Sequence, residues 1–109
     1  MIFKNINVVA ILIALAFIST IWFFYTSTFL PDGEVIFKRE GCFGCHSFKG
    51  QGGSLGPDLT AITNKRSKRW IERYIKNPKS IKPDSRMPQF KDLSKREIKA
   101  LIRYLNSTK

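Results

Sequence analysis

Five consecutive residues, Cys42-Phe43-Gly44-Cys45-His46, constrain this chain more than any other stretch of it. They hold both of its cysteines and its single histidine. Apart from Met1, the one remaining thioether is Met87. Two thiols three residues apart reach the two vinyl groups of one porphyrin, and the adjoining imidazole then lies beneath its iron. That geometry is why C-x-x-C-H reads as a covalent haem-attachment site. A His/Met haem needs two thiols, one imidazole and one thioether sulfur. The sequence supplies that set with nothing left over.

Competing readings of the same residues are weaker. A C-x-x-C redox pair of thioredoxin type belongs with strands alternating with helices, and the chain has no such pattern. A zinc site takes four ligands, mostly Cys and His, where this chain has three such residues in total. A simple disulfide leaves the adjacent histidine and the distal methionine without a purpose.

With 109 residues the chain has room for one small domain and little else. Of its 19 basic residues only Lys4 precedes Pro31, and all eight acidic residues follow that point. Residues 31–109 therefore carry 18 basic against 8 acidic side chains, a net +10. Such a surface suits an acidic partner or an anionic membrane surface. No nucleic-acid motif accompanies it. A domain this short, with no second cysteine pair to staple it, builds little core unaided. A haem in its middle supplies the missing apolar mass, which makes the cofactor structural as well as functional.

From Asn5 to Pro31 no residue is charged, and the run from Ile6 to Leu30 is apolar except for Asn7, Ser19, Thr20 and Thr26 to Thr28. That suffices for the ~20 residues of a membrane-spanning helix. Trp22, Phe23, Phe24 and Tyr25 near its end have the composition of an interfacial aromatic belt. A cleaved signal peptide is the rival reading, but the end of the run lacks a small-x-small cleavage site. The expectation is an uncleaved anchor over residues 1–30 and a soluble domain over 31–109. The charges flanking the helix would by themselves favour a cytoplasmic domain, but whole domains translocate largely regardless of charge, and Asp32 and Glu34 lie in the immediate flank. Thr26 to Asp32 reads as a linker of at most ~25 Å.

Beyond the linker, Asp32 caps a short helix from Gly33 that carries Val35, Ile36 and Phe37 and that Gly41 stops. Lys49 to Gly56 reads as a glycine-rich loop. Ser67 caps a helix to Asn77 with Trp70, Ile71, Tyr74 and Ile75 on one face, ended by Pro78. Pro83, Asp84 and Pro88 make Lys79 to Phe90 an extended loop presenting Met87. Ser94-Lys95-Arg96-Glu97 is a capping box, followed by Ile98, Leu101, Ile102 and Leu105 along one face of a terminal helix.

The stretch from Gly33 to Leu105 resembles the class I cytochrome c family at essentially full domain length. The matching residues are Gly33, Phe37, the Cys42-to-His46 motif, Gly56-Pro57-Asp58-Leu59, Tyr74 to Lys79, Met87-Pro88, Leu101 and Tyr104. The resemblance implies an all-α class I cytochrome c fold wrapped around one covalent haem c, here preceded by a single transmembrane helix. It implies His46 and Met87 as axial ligands of the iron, with the Pro57 carbonyl holding the Nδ1 proton of His46 and Tyr74 near the Met87 sulfur. Gly33 and Phe37 would pack against Leu101 and Tyr104 where the first and last helices cross. The loop before Ser67 is shorter than in the animal pattern, and Arg66 and Trp70 are the candidates to meet the haem propionates.

With both axial positions filled, no place is left for a small-molecule substrate, so the chain reads as an electron carrier rather than an enzyme. The alternative is a peroxidase-like or gas-sensing haem from which Met87 dissociates. That needs a distal acid–base residue, and the only histidine is already the proximal ligand. The expected partner is an acidic redox protein or an integral-membrane respiratory complex, on which this chain is docked or of which it is a subunit. The expected place is the cytoplasmic membrane, with the haem domain on the periplasmic side.

Overall fold

The computed structural model describes residues 2–29 and 31–107, so the ends of both expected segments, Met1, Leu30, Thr108 and Lys109, lie outside it, as do the side chains of Ile2, Phe3, Lys4 and Ile6. The chain divides into two compact units, residues 1–30 and 31–109.

The first unit is one helix, α1 (Ile2–Thr28). It contains neither Gly nor Pro, and Pro31 follows its end. Its stretch Asn7–Thr28, 22 residues with a mean hydropathy of 2.5, is long and apolar enough to cross a membrane. None of its described side chains is buried within the unit. The helix runs on through Thr28, where a linker was expected from Thr26. The threonine hydroxyls explain this. Thr20 donates to Phe17 O (2.8 Å), Thr26 to Phe23 O (3.0 Å) and Thr28 to Phe24 O (2.7 Å), so each polar group is satisfied inside the helix.

The second unit begins with α2 (Gly33–Arg39), started by the Asp32 carboxylate, which accepts from Glu34 N–H at 2.8 Å. A 3-10 turn over Cys42–Gly44 follows. Then come α3 (Ile62–Lys65), α4 (Lys68–Lys76), a second 3-10 turn (Pro78–Ser80) and α5 (Lys95–Asn106). Ser67 caps α4 through Trp70 N–H, and the Ser94/Glu97 box is present in both directions. The cap and Arg39 hold the Glu97 carboxyl below its ordinary value. Arg39 Nη2, 2.9 Å from Glu97 Oε1, also ties α2 to α5.

The domain is not purely helical. β1 (Ser47–Phe48) and β2 (Gln51–Gly52) pair antiparallel, Ser47 opposite Gly52 and Phe48 opposite Gln51. This hairpin lies partly in the stretch read as a loop. Its cause is local: Lys49 (φ 51°) and Gly50 (φ 77°) are both left-handed, the requirement of a two-residue type I′ turn. The turn buries Phe48, which is 1% exposed. Helix α3, too, falls in a segment given no structure by sequence.

Among the described residues, ten apolar side chains form the buried core, four of them the Ile98, Leu101, Ile102 and Leu105 stripe of α5. Phe37 sits among aromatics, its ring centroid 4.7 Å from Phe43, 5.8 Å from Phe48 and 5.5 Å from Tyr104. Each such pair adds roughly 0.5–1.5 kcal/mol beyond its buried area. α2 approaches α5 closely because Gly33 has no side chain: a Cβ there would run into the Ala100 carbonyl and stand 2.7 Å from Tyr104 Cβ. Gly33→Ala should therefore cost ~1–3 kcal/mol of stability, the usual penalty of overpacking. Thermal denaturation of the full chain measures it, and an unchanged midpoint would show that the crossing has room to spare.

Candidate functional site

The site is built on the end of α2. Gly41 takes a left-handed backbone (φ 72°) that breaks the helix and turns the chain into the 3-10 turn. Within it Gly44 N–H bonds to Gly41 O (2.9 Å), and His46 N–H to Cys42 O (2.9 Å). Residues three apart in a 3-10 turn eclipse one another, which places Cys42 and Cys45 on one side. Both are free thiols; Cys42 is half-buried and Cys45 exposed. Burial, and then the charge of Glu40, pushes the Cys42 thiol up to about 11. A redox pair of thioredoxin type needs a thiolate held below its ordinary value, and the surroundings of Cys42 act in the opposite direction.

The segment after the hairpin returns over the motif. Gly53 N–H bonds to Phe43 O (2.8 Å) and Gly56 N–H to Cys45 O (2.6 Å). Gly56 lies flat against the imidazole: a Cβ there would stand 2.5 Å from His46 Cε1 and 2.7 Å from Nδ1. Next in the chain, Pro57 O is 2.8 Å from His46 Nδ1. A carbonyl can only accept, so Nδ1 carries the proton and Nε2 keeps its lone pair as the free donor. This is the arrangement of a metal-ligating histidine whose second nitrogen is fixed by a backbone carbonyl. Asp58 steadies the same turn by accepting from Thr60 N–H (2.7 Å) and Thr60 Oγ1 (2.5 Å). Those bonds lower the Asp58 carboxyl.

Met87 is half-buried in the loop between α4 and α5. The base of the loop is closed by Gln89 Nε2 to Asn77 Oδ1 (3.0 Å) and by Phe90 N–H to Ile75 O (3.2 Å). Tyr74 reaches this loop through Ser85: its hydroxyl is 2.9 Å from Ser85 Oγ, and Ser85 Oγ accepts from Met87 N–H at 3.3 Å. The Tyr74 ring stacks on Trp70, centroids 4.8 Å apart and 13° from parallel. The Arg66 guanidinium lies over the Trp70 ring at 4.5 Å. The residues expected near the propionates thus form one column with Tyr74. Ser85 was missed by sequence reasoning; a lone serine in a polar loop gives no signal, and only its burial marks it.

The donor set fits a His/Met haem held by two thioethers: two unpaired thiols on one turn, an imidazole with Nε2 free, and a neutral thioether. Among the described residues no group of three or more His, Cys, Asp and Glu side chains could hold a bare metal ion.

Comparison with known proteins gives a consistent answer. The family model for cytochrome c matches residues 31–109. Over 92 residues the chain is 32% identical to cytochrome c oxidase subunit 2 of Alkalihalophilus pseudofirmus, covering 77% of this chain and 27% of that protein. It spans about a quarter of the length of that relative. The matched region contains the thiol pair, the carbonyl-fixed histidine and the methionine loop, and the chain belongs to the cytochrome c family, whose members carry iron in haem c for electron transfer.

Proposed function

We propose that the protein is a membrane-tethered one-electron carrier holding a single covalent haem c between His46 and Met87. The observation that supports this most strongly is the 2.8 Å bond between His46 Nδ1 and Pro57 O, which leaves Nε2 as a fixed, neutral donor. When bound, the haem iron supplies the one-electron couple, and imidazole with thioether sulfur places its potential high in the ~0.8 V span that axial ligands command.

In this reading Cys42 and Cys45 hold the porphyrin through thioethers. His46 Nε2 and the Met87 sulfur would be the protein ligands of the iron, and the chain would take no small-molecule substrate. Pro57 O keeps the imidazole in one tautomer and one orientation. Tyr74 stands close to Met87, and the free edges of Arg66 and the Trp70 indole N–H meet the propionates; stacking leaves a guanidinium's in-plane N–H groups available. α1 serves as an uncleaved anchor, with the haem domain on the extracytoplasmic side. The partner is an acidic redox protein or a respiratory membrane complex, in which the chain is docked or a subunit. The likeness to a protein named as an oxidase subunit supports that placement. So does the charge: residues 65–109 hold 15 basic against 4 acidic side chains, while residues 31–64 hold 3 against 4.

Three outcomes follow. After boiling in denaturant, haem stain should stay on the 12.5 kDa band, because thioethers survive unfolding; extraction of the haem by acid acetone would refute covalent attachment. The oxidised full chain should show the weak near-red sulfur-to-iron band. Met87→Ala should abolish it and lower the midpoint potential, whereas a band retained in that variant would remove Met87 from the iron. Electron transfer from the detergent-solubilised chain to an acidic redox protein should slow 10-fold or more as salt rises and the screening length falls from ~10 Å toward ~3 Å. A flat salt profile would exclude electrostatic docking.

A further inference from the structure

We infer that Ser85 is the positioning residue for Met87: its buried hydroxyl, braced by Tyr74, fixes the backbone of the loop at residue 87. The inference rests on the reading of Met87 as the ligand of the iron.

Ser85, 8% exposed, is the buried polar residue of the described chain. A hydroxyl taken out of water is retained at little cost only where its bonds are made. Ser85 makes two, to Tyr74 Oη at 2.9 Å and from Met87 N–H at 3.3 Å. Its own backbone is held as well, Ser85 N–H to Lys82 O at 3.0 Å. A hydroxyl has two lone pairs and one proton, so it accepts from Met87 and bonds Tyr74 in either direction without conflict.

Tyr74 is a firm brace. It sits on α4 one turn after Trp70, against whose ring its own is stacked, and Ile71 between them is buried in the core. The ties at Gln89 and Phe90 close the base of the loop but lie beyond Met87. Pro88, next to Met87, has no N–H to offer. The Ser85 hydroxyl therefore links the loop at residue 87 to the helix behind it. A thioether is a neutral, weak donor, so the fraction of time it spends on a metal depends on how far the loop is pre-organised to present it. Restraining the Met87 amide is such pre-organisation.

The test uses the haem-loaded full chain in detergent, with imidazole as the probe of the open sixth position. An ordinary hydrogen bond corresponds to about fivefold in an equilibrium constant. Ser85→Ala should bind imidazole to the oxidised form roughly fivefold more tightly and weaken the near-red band. Its Met87 amide should exchange with deuterium about fivefold faster. Ser85→Thr, which keeps the hydroxyl, should restore all three. Ser27→Ala, at an exposed serine of α1, should change none. Tyr74→Phe should move the readouts as Ser85→Ala does, and it decides the matter if Ser85→Ala does not fold. A wild-type band with unchanged imidazole affinity and amide exchange in Ser85→Ala overturns the positioning role alone. Absence of the band from the wild type overturns the ligand reading, and this inference with it.

Discussion

One hydrogen bond between a side chain and the backbone sets the chemistry of this chain: His46 Nδ1 to Pro57 O, 2.8 Å. It decides which nitrogen carries the proton, and so which one faces outward as a donor. The bond exists because the chain from Gly53 to Pro57 folds back over the motif, anchored by Gly53 to Phe43 and Gly56 to Cys45. It also requires that residue 56 have no side chain, since the imidazole lies where a Cβ would be. Left-handed turns at Gly41 and at Lys49-Gly50 aim both strands of this arrangement. Few of these contacts involve the hydrophobic core. The histidine side is held by backbone geometry.

The methionine side is held differently. Its loop is long and polar, and beside the backbone bonds of Phe90 to Ile75 and Ser85 to Lys82 it is tied by side chains: Gln89 on Asn77 and Ser85 between Tyr74 and residue 87. Such bonds are individually worth about 1 kcal/mol, and the exposed one at Gln89 is open to competition from water. One wall of the site is therefore rigid and the other adjustable. The core beneath α4 and α5 supplies the firm surface on which the adjustable wall leans.

Much of this was legible in the sequence, for reasons that are local. Asp32, Ser67 and the Ser94/Glu97 box announce helix starts because a short polar side chain there can accept from an N–H within three residues. The α5 stripe is buried as its spacing required. Two-residue strands have no periodicity to detect, and the hairpin turns on a lysine in a left-handed conformation that its identity does not suggest. Phe48 and Leu93, buried at 1% and 6%, carry no pattern that separates them from surface hydrophobics. The link from Tyr74 to Met87 passes through Ser85, a contact across 11 residues that becomes visible only when the loop is folded. Arg66 and Trp70 could be named as candidates from the sequence, but the stacking of the Arg66 guanidinium over the Trp70 ring is a tertiary fact.

The crossing of α2 and α5 at Gly33 has a consequence for the order of events during folding. Its two sides lie near opposite ends of the domain, Gly33 at the start and Ala100 and Tyr104 in the last helix. Contacts so far apart in sequence form only after a large loop has closed, and they make folding slow relative to local helix formation. A chain emerging from its amino end must complete α5 before its central packing can begin. Throughout that interval the thiols of Cys42 and Cys45 are already present in the chain and unburied. The topology thus opens a time window in which chemistry at the cysteines precedes the tertiary structure that later half-buries Cys42.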